Sequence, residues 1–320
     1  MPAASFGTLM FAAVFAAMFA AVFAAVPQAM AASAPAGRHL GAARSAPFIN
    51  AAAGELVNAK SGQELWSRDQ TVQRPVASLT KVMTALVVVT AGHLGRRIRI
   101  TQAEVEYVRD FHASNAGLIA GDILSARNLL YAMLLPSGAD AAMALAESYG
   151  PGIPAFVRKM NSLARKLHLT RTHFTNFDGL RSSDVSTPAN LVKLGEAAMR
   201  HKAFRDVVKR KWFNLKAWPH RHHYFWRNTN LLLRRYPGTI GIKTGWTPAA
   251  GECLLFEAVY RKKTLIGVIL DSAPANSGIT FVDAARLLNR KFGRHVPIPP
   301  PTPPPAMPSG TRKQRPGLGS

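Results

Sequence analysis

The order of apolar and polar positions divides this chain into a β-like start, a helical middle and a β-like end. In ELVNAKSGQELWS (55–67), two short apolar runs flank Lys60-Ser61-Gly62, which predicts a β-hairpin. In SLTKVMTALVVVTAGH (78–93), Leu79, Val82, Met83, Leu86 and Val89 recur at helical spacing, and Gly92 stands where such a helix would stop. The run is so apolar that the helix is expected to be buried. Residues 103–206 read as mostly helical. SARNLLYAMLLP ends at Pro136, GADAAMALAESYG restarts a helix, and IPAFVRKMNSLARKLHL is amphipathic. TPANLVKLGEAAMRH carries Pro188 near its start, where proline suits a first turn. The period then changes. TIGIKTGWT, ECLLFEAVY and KTLIGVILDS are short, apolar and partly β-branched, with a turn at RKK (261–263), and GITFVDAARLLNRKFG closes as a helix. The expected fold is therefore an α/β (α+β) sandwich. A five-stranded antiparallel sheet is assembled from both chain ends, with a helical lobe between them.

Both termini fall outside this pattern. Residues 8–26 are uncharged and apolar, and Ala29-Met30-Ala31 follows as an A-x-A cleavage site. The expectation is a signal peptide over 1–31 and a linker over 32–47. The usual basic start is missing, so an uncleaved anchor is the competing reading. From Val296, VPIPPPTPPPAMPSGTRKQRPGLGS is dense in Pro, Gly, Ser and basic residues and is expected to form a disordered spacer over 296–320. The folded domain is then 48–295. Net charge is +23, which calls for an anionic neighbourhood. Export would make that neighbourhood an envelope polymer or membrane surface, at the periplasm or the outer face of the cell envelope, and exclude nucleic acid. One cysteine, Cys253, allows no internal disulfide; it reads as inert core in an apolar strand.

Three local patterns carry candidate chemistry. Ser78 and Lys81 sit one helical turn apart, so a desolvated amine could take the proton of the hydroxyl. The plain alternative is a capping serine beside a surface-reaching lysine. Ser137 follows a helix-ending proline, from where it could face a cleft or merely cap the next helix. Lys243-Thr244-Gly245 lies in a strand flanked by Gly241, where an exposed edge could pair with an extended peptide and hold its carboxylate; an ordinary edge strand is the alternative. His220, His222 and His223 stand among aromatics and arginines with no acidic or cysteine partner near in sequence, so no metal is assigned to them. Asn161 and Asp178 read as structural polar residues.

Taken together and in this order, Ser-x-x-Lys, Ser-Gly-x and Lys-Thr-Gly form the motif set of penicillin-recognising serine enzymes. The chain resembles the D-alanyl-D-alanine carboxypeptidase family of low-molecular-mass penicillin-binding proteins. The likeness runs from about 48 to 292 through PVASLTKVMTAL, LLYAMLLPSGADAA, FVRKMNSLARKL, THFTNFDGL, NTNLLLRRYPGTIGIKTGWTPAAGECLL and LIGVILDS. The resemblance implies a β-lactamase-like fold, no cofactor, a peptidoglycan stem peptide ending in D-Ala-D-Ala as substrate, and β-lactams as inhibitors. It implies that Ser78 attacks the carbonyl, Lys81 accepts its proton and Ser137 relays it to the leaving D-alanine. Lys243 and Thr244 would bind the substrate carboxylate, and the N–H groups of Ser78 and Trp246, flanking Gly245, would form the oxyanion hole. One position departs from the pattern: Ala139 stands where the family usually has Asn. Three rival functions remain: a β-lactamase, disfavoured because none of the eight glutamates begins Glu-x-x-Leu-Asn; an endopeptidase on wall cross-links; and a weakly active or non-catalytic wall-binding protein.

Overall fold

The computed structural model describes residues 48–273 and 277–298. The calls for a signal peptide, a linker and most of the spacer lie outside the described residues. Among the described residues, no helix is long and apolar enough to cross a membrane.

The chain opens with the hairpin β1 (Ala53–Asn58) and β2 (Glu64–Arg68), then β3 (Arg74–Pro75), a 3-10 turn Ala77–Leu79 and α1 (Thr80–Ala91). Next come β4 (Arg97–Arg99), α2 (Gln102–Asp110), β5 (Ile123–Ser125), α3 (Ala126–Leu134), α4 (Ala139–Tyr149) and α5 (Ile153–Lys166). After β6 (Val185–Ser186) follow α6 (Pro188–Met199), α7 (Lys202–Val208), the hairpin β7 (Trp212–Lys216) and β8 (His223–Arg227), and α8 (Leu232–Arg235). The chain closes with β9 (Thr239–Thr247), β10 (Gly251–Tyr260), β11 (Lys263–Leu270) and α9 (Ile279–Phe292).

The main sheet has the order β2-β1-β11-β10-β9 with antiparallel neighbours, so both chain ends build it, as the apolar pattern predicts. Ser125 caps α3 through its hydroxyl, and Thr187 does the same for α6 ahead of Pro188. α1 is buried from Thr80 through Val88 because helices surround it, which is why its apolar residues form no single stripe. One large apolar cluster joins α1, α3, α4 and α6 to one sheet face, including Leu255, Ile266 and Val268. A second cluster packs α9 on the other face, through Leu287 and Leu288 against Leu254, Phe256 and Ile269. Covered on both sides, β10 reads as a near-continuous apolar run.

Two expectations need adjusting. Ser78 belongs to the 3-10 turn before α1 rather than to the helix itself. The spacer does not begin free at Val296. The Asn289 side chain clamps the Val296 backbone with two hydrogen bonds, and Val296 and Ile298 pack on the second cluster.

Candidate active site

Ser78 caps nothing: no side chain caps the 3-10 turn or α1. Its Oγ instead accepts a hydrogen bond from Lys81 Nζ at 3.0 Å, and the same Nζ donates to the Asp178 carbonyl at 2.8 Å. Lys81 is fully enclosed, and that burial pulls its pKa below the ordinary lysine value; the carboxylates of Asp178, Asp140 and Asp184 oppose the shift. A buried amine with a lowered pKa, held against a hydroxyl, has the arrangement a base needs.

Asp178 was read from sequence as a structural residue, and its side chain is one, accepting from Tyr107 and Leu180; its backbone adds a contact to Lys81. Its carbonyl fixes the amine, and the charge of its carboxylate favours the charged form of Lys81. The loop is held rigid around it. Asn176 accepts the backbone N–H groups of Asp178 and Gly179, Asp178 Oδ1 accepts from Leu180, and Tyr107 donates to Asp178 Oδ2 at 2.9 Å. Gly179 is obligatory here: with φ +87, a Cβ would lie 1.9 Å from the Ala77 carbonyl oxygen. The nearby stretch NFDGL was visible in the chain, but a backbone acceptor leaves no side-chain signal. Asn161 is structural as expected, bonded to the Val157 and Phe174 backbone.

Ser137 sits between α3 and α4 in the left-handed region at φ 70, buried, and Gly138 rather than Ser137 is the N-cap of α4. The capping alternative therefore fails here too. Ala139 is fully buried and spends its N–H on the Ser114 carbonyl at 2.8 Å. Asp140 does not replace the missing amide. Its carboxylate turns to the backbone N–H groups of Ala116, Leu118 and Ala141 and so pins the 116–118 segment under the second motif.

β9 is the edge strand. Lys243 is buried, its Nζ donates to the Thr244 carbonyl at 2.9 Å, and burial with the neighbouring Lys81 charge drives its pKa well below the usual value. Glu252, the register partner of Trp246, gives its N–H to Ala273 and its carbonyl to Ser272. In an antiparallel ladder, the N–H and C=O of one residue point the same way. The Glu252–Trp246 pair is therefore non-bonded, and Trp246 aims its N–H, like Thr244 two residues earlier, at the open edge. Gly245 packs directly on the first motif: an added Cβ would meet Ala77 Cβ and Ser78 N at 3.1 Å. Thr229 joins the remaining pieces. Its N–H donates to Leu135 O at 3.1 Å, and its hydroxyl lies 2.5 Å from that of Thr244. The first and third motifs thus meet where Gly245 packs on Ser78, and Thr229 ties Thr244 to Leu135, two residues before Ser137; Asp178 and Thr229 are the connectors that motif spacing did not reveal.

Cys253 is buried in β10, and burial pushes its thiol up to about 12, as inert core requires. The histidines acquire an acidic neighbour that sequence proximity hid: His220 and His222 both reach Asp122. His223 is exposed on β8.

The family model for D-alanyl-D-alanine carboxypeptidases (peptidase S11) matches residues 41–274. A D-alanyl-D-alanine carboxypeptidase of Streptomyces sp. (strain K15) is 40% identical over 261 residues, 77% of this chain and 88% of the relative. A D-alanyl-D-alanine endopeptidase of Escherichia coli (strain K12) is 29% identical over 258 residues, 80% of this chain and 82% of the relative. The crystal structure of the Streptomyces K15 DD-transpeptidase superposes with a TM-score of 0.74 at 39% identity, covering 77% of this chain and 98% of that one. With the serine–lysine pair, the edge strand and the fold agreeing, the chain belongs to the D-alanyl-D-alanine carboxypeptidase family of serine peptidases.

Proposed function

We propose that Ser78 is the nucleophile of a carboxypeptidase that removes the terminal D-alanine from peptidoglycan stem peptides. The observation that carries this is the Lys81 amine, buried, 3.0 Å from Ser78 Oγ and steadied by the Asp178 carbonyl. Lys81 in its neutral form takes the hydroxyl proton as Oγ attacks the carbonyl between the two D-alanines. The oxyanion forms between the N–H groups of Ser78 and Trp246, where one donor is worth about 10²–10³ in rate. Ser137 relays the proton to the departing amine, which leaves as D-alanine. Lys243 and Thr244 hold the substrate carboxylate, and an arriving carboxylate favours the charged form of Lys243 that burial disfavours. Water then attacks the acyl-enzyme and frees the shortened peptide. β-Lactams enter the same sequence and stall at the ester.

The cross-link endopeptidase is the second reading, favoured by the similarity to a relative of that name. Chromatography of products from a linear pentapeptide and a cross-linked muropeptide dimer separates the two. Carboxypeptidase action releases free D-alanine from the pentapeptide; cleavage of the dimer alone would overturn it. Ala139 removes one amide from the site, which lowers the rate by roughly 2- to 12-fold for a single neutral hydrogen bond and does not abolish turnover.

We further propose action outside the cytoplasmic membrane, after loss of residues 1–31, with the +23 charge holding the enzyme on anionic envelope polymers or lipid. The apolar run before Ala31 supports export. Amino-terminal sequencing of exported protein starting near Ala32, and release from envelopes by high salt, are expected. A mature chain beginning at Met1 or Pro2, or retention through a molar salt wash, would contradict them.

A further inference from the structure

We propose that Asp122, His220 and His222 bind one divalent first-row transition cation, Zn²⁺ foremost, at the edge of the second-motif loop. Among the described residues these three offer ligand atoms that all lie within 4.8 Å of one another. Asp122 Oδ1 is 3.2 Å from His220 Nδ1 and 2.9 Å from His222 Nδ1, and Oδ2 is also 2.9 Å from His222 Nδ1. Donors on a tetrahedral zinc with bonds of about 2.0–2.1 Å stand roughly 3.3 Å apart, so each nitrogen is within a few tenths of an ångström of that spacing from the carboxylate oxygen. Two imidazoles and one carboxylate suit zinc, and the two rings are part-exposed while the carboxylate is enclosed. That leaves a solvent side for entry and for a water as fourth ligand. Each imidazole binds through Nδ1 and keeps its proton on Nε2, so any proton on a ligating nitrogen is released as the cation enters.

The surroundings are those of an oriented ligand. Tyr224 donates its hydroxyl to Asp122 Oδ2 at 2.6 Å and accepts the Ile119 N–H at 3.1 Å, which fixes the carboxylate from behind. The Asp122 carboxylate comes from the segment before β5 and the imidazoles from the turn before β8. That turn is already joined to β5 by Ile123 N–H donating to Trp218 O at 2.7 Å. A cation there would clamp the β7–β8 hairpin to the 113–122 segment. That segment carries Ser114, Ala116 and Leu118, whose backbone groups hold Ala139 and Asp140 beside Ser137. The role is structural.

The test uses tag-free full-length protein stripped with chelator. Calorimetric titration with ZnCl₂ is expected to show one equivalent. Thermal unfolding should rise by roughly 5–10 °C at about 100-fold excess over Kd. Co²⁺ should give the intense visible bands of a tetrahedral site. His220→Ala with His222→Ala should weaken binding at least 100-fold, and His223→Ala should leave it unchanged. The two mutated histidines are part-exposed while Asp122 is enclosed, so the fold survives their loss. Equal zinc affinity in the double variant, equal loss in His223→Ala, or no saturable binding up to about 0.1 mM would overturn the assignment.

Discussion

Gly245→Ala isolates the contact between the edge strand and the nucleophile. Gly245 does not sit at positive φ, so the backbone accepts alanine and only space is at issue. The new methyl would lie 3.1 Å from Ser78 N, 3.1 Å from Ala77 Cβ and 3.2 Å from Val76 O, each a few tenths of an ångström too close. Two of these atoms are backbone, and Ala77 and Val76 are fully buried, so the relief must come from β9 moving outward. Overpacking of this kind costs about 1–3 kcal/mol. The same movement separates the Ser78 and Trp246 N–H groups. Losing one such donor outright costs about 10²–10³ in rate, so partial misalignment should lower kcat/KM for D-alanine release roughly 10- to 100-fold. The assay pairs initial rates on a pentapeptide with thermal unfolding. Gly95→Ala, which has nothing within 4 Å of its added Cβ, is the control and should change neither. A Gly245→Ala enzyme within twofold of the parent rate would refute the reasoning that this strand and Ser78 form one oxyanion site.

Thr229→Val removes the hydroxyl that orients Thr244 but keeps the backbone link to Leu135; KM for the carboxylate-ended peptide should rise about 2- to 12-fold with kcat less affected, read from Michaelis curves. Burial raises Glu55 and Glu257 to about 7, above the 4.5 of an exposed glutamate. The native state therefore holds more protons than the unfolded one between about pH 4.5 and 7, and stability falls as pH rises through that window; Glu257→Gln should flatten the Tm–pH profile, measured by calorimetry. Cys253 should resist alkylation in the native protein at pH 8 and react fully in denaturant, as intact mass will show, because its thiol is buried and titrates at about 12.

The sheet was legible because its strands carry their own signals. β9, β10 and β11 are apolar runs separated by turns, and the first hairpin has its turn residues. α1 was legible from its apolar density. What stayed hidden depends on groups that leave no pattern. The Asp178 carbonyl that fixes Lys81 is backbone, so no side-chain spacing could announce it. Thr229 and Thr244 meet only because the fold returns the chain to Leu135. His220 and Asp122 are separated by 98 residues, and neither contains the other's position in its local sequence. Val296 looked like the start of a free tail because the Asn289 amide that clamps it lies in the preceding helix. Ser78 and Ser137 could each have been caps by sequence, and only the observed caps, Leu79 and Gly138, exclude that.

The central claim is that Ser78, activated by Lys81, forms the covalent acyl-enzyme. Intact-mass measurement of the mature protein after exposure to a penicillin, followed by tandem mass spectrometry, tests it directly. One adduct of the added β-lactam mass is expected, located on Ser78, absent in Ser78→Ala and formed roughly 10²–10⁴-fold more slowly in Lys81→Ala. An adduct that persists in Ser78→Ala, or that maps to any other residue, would contradict it.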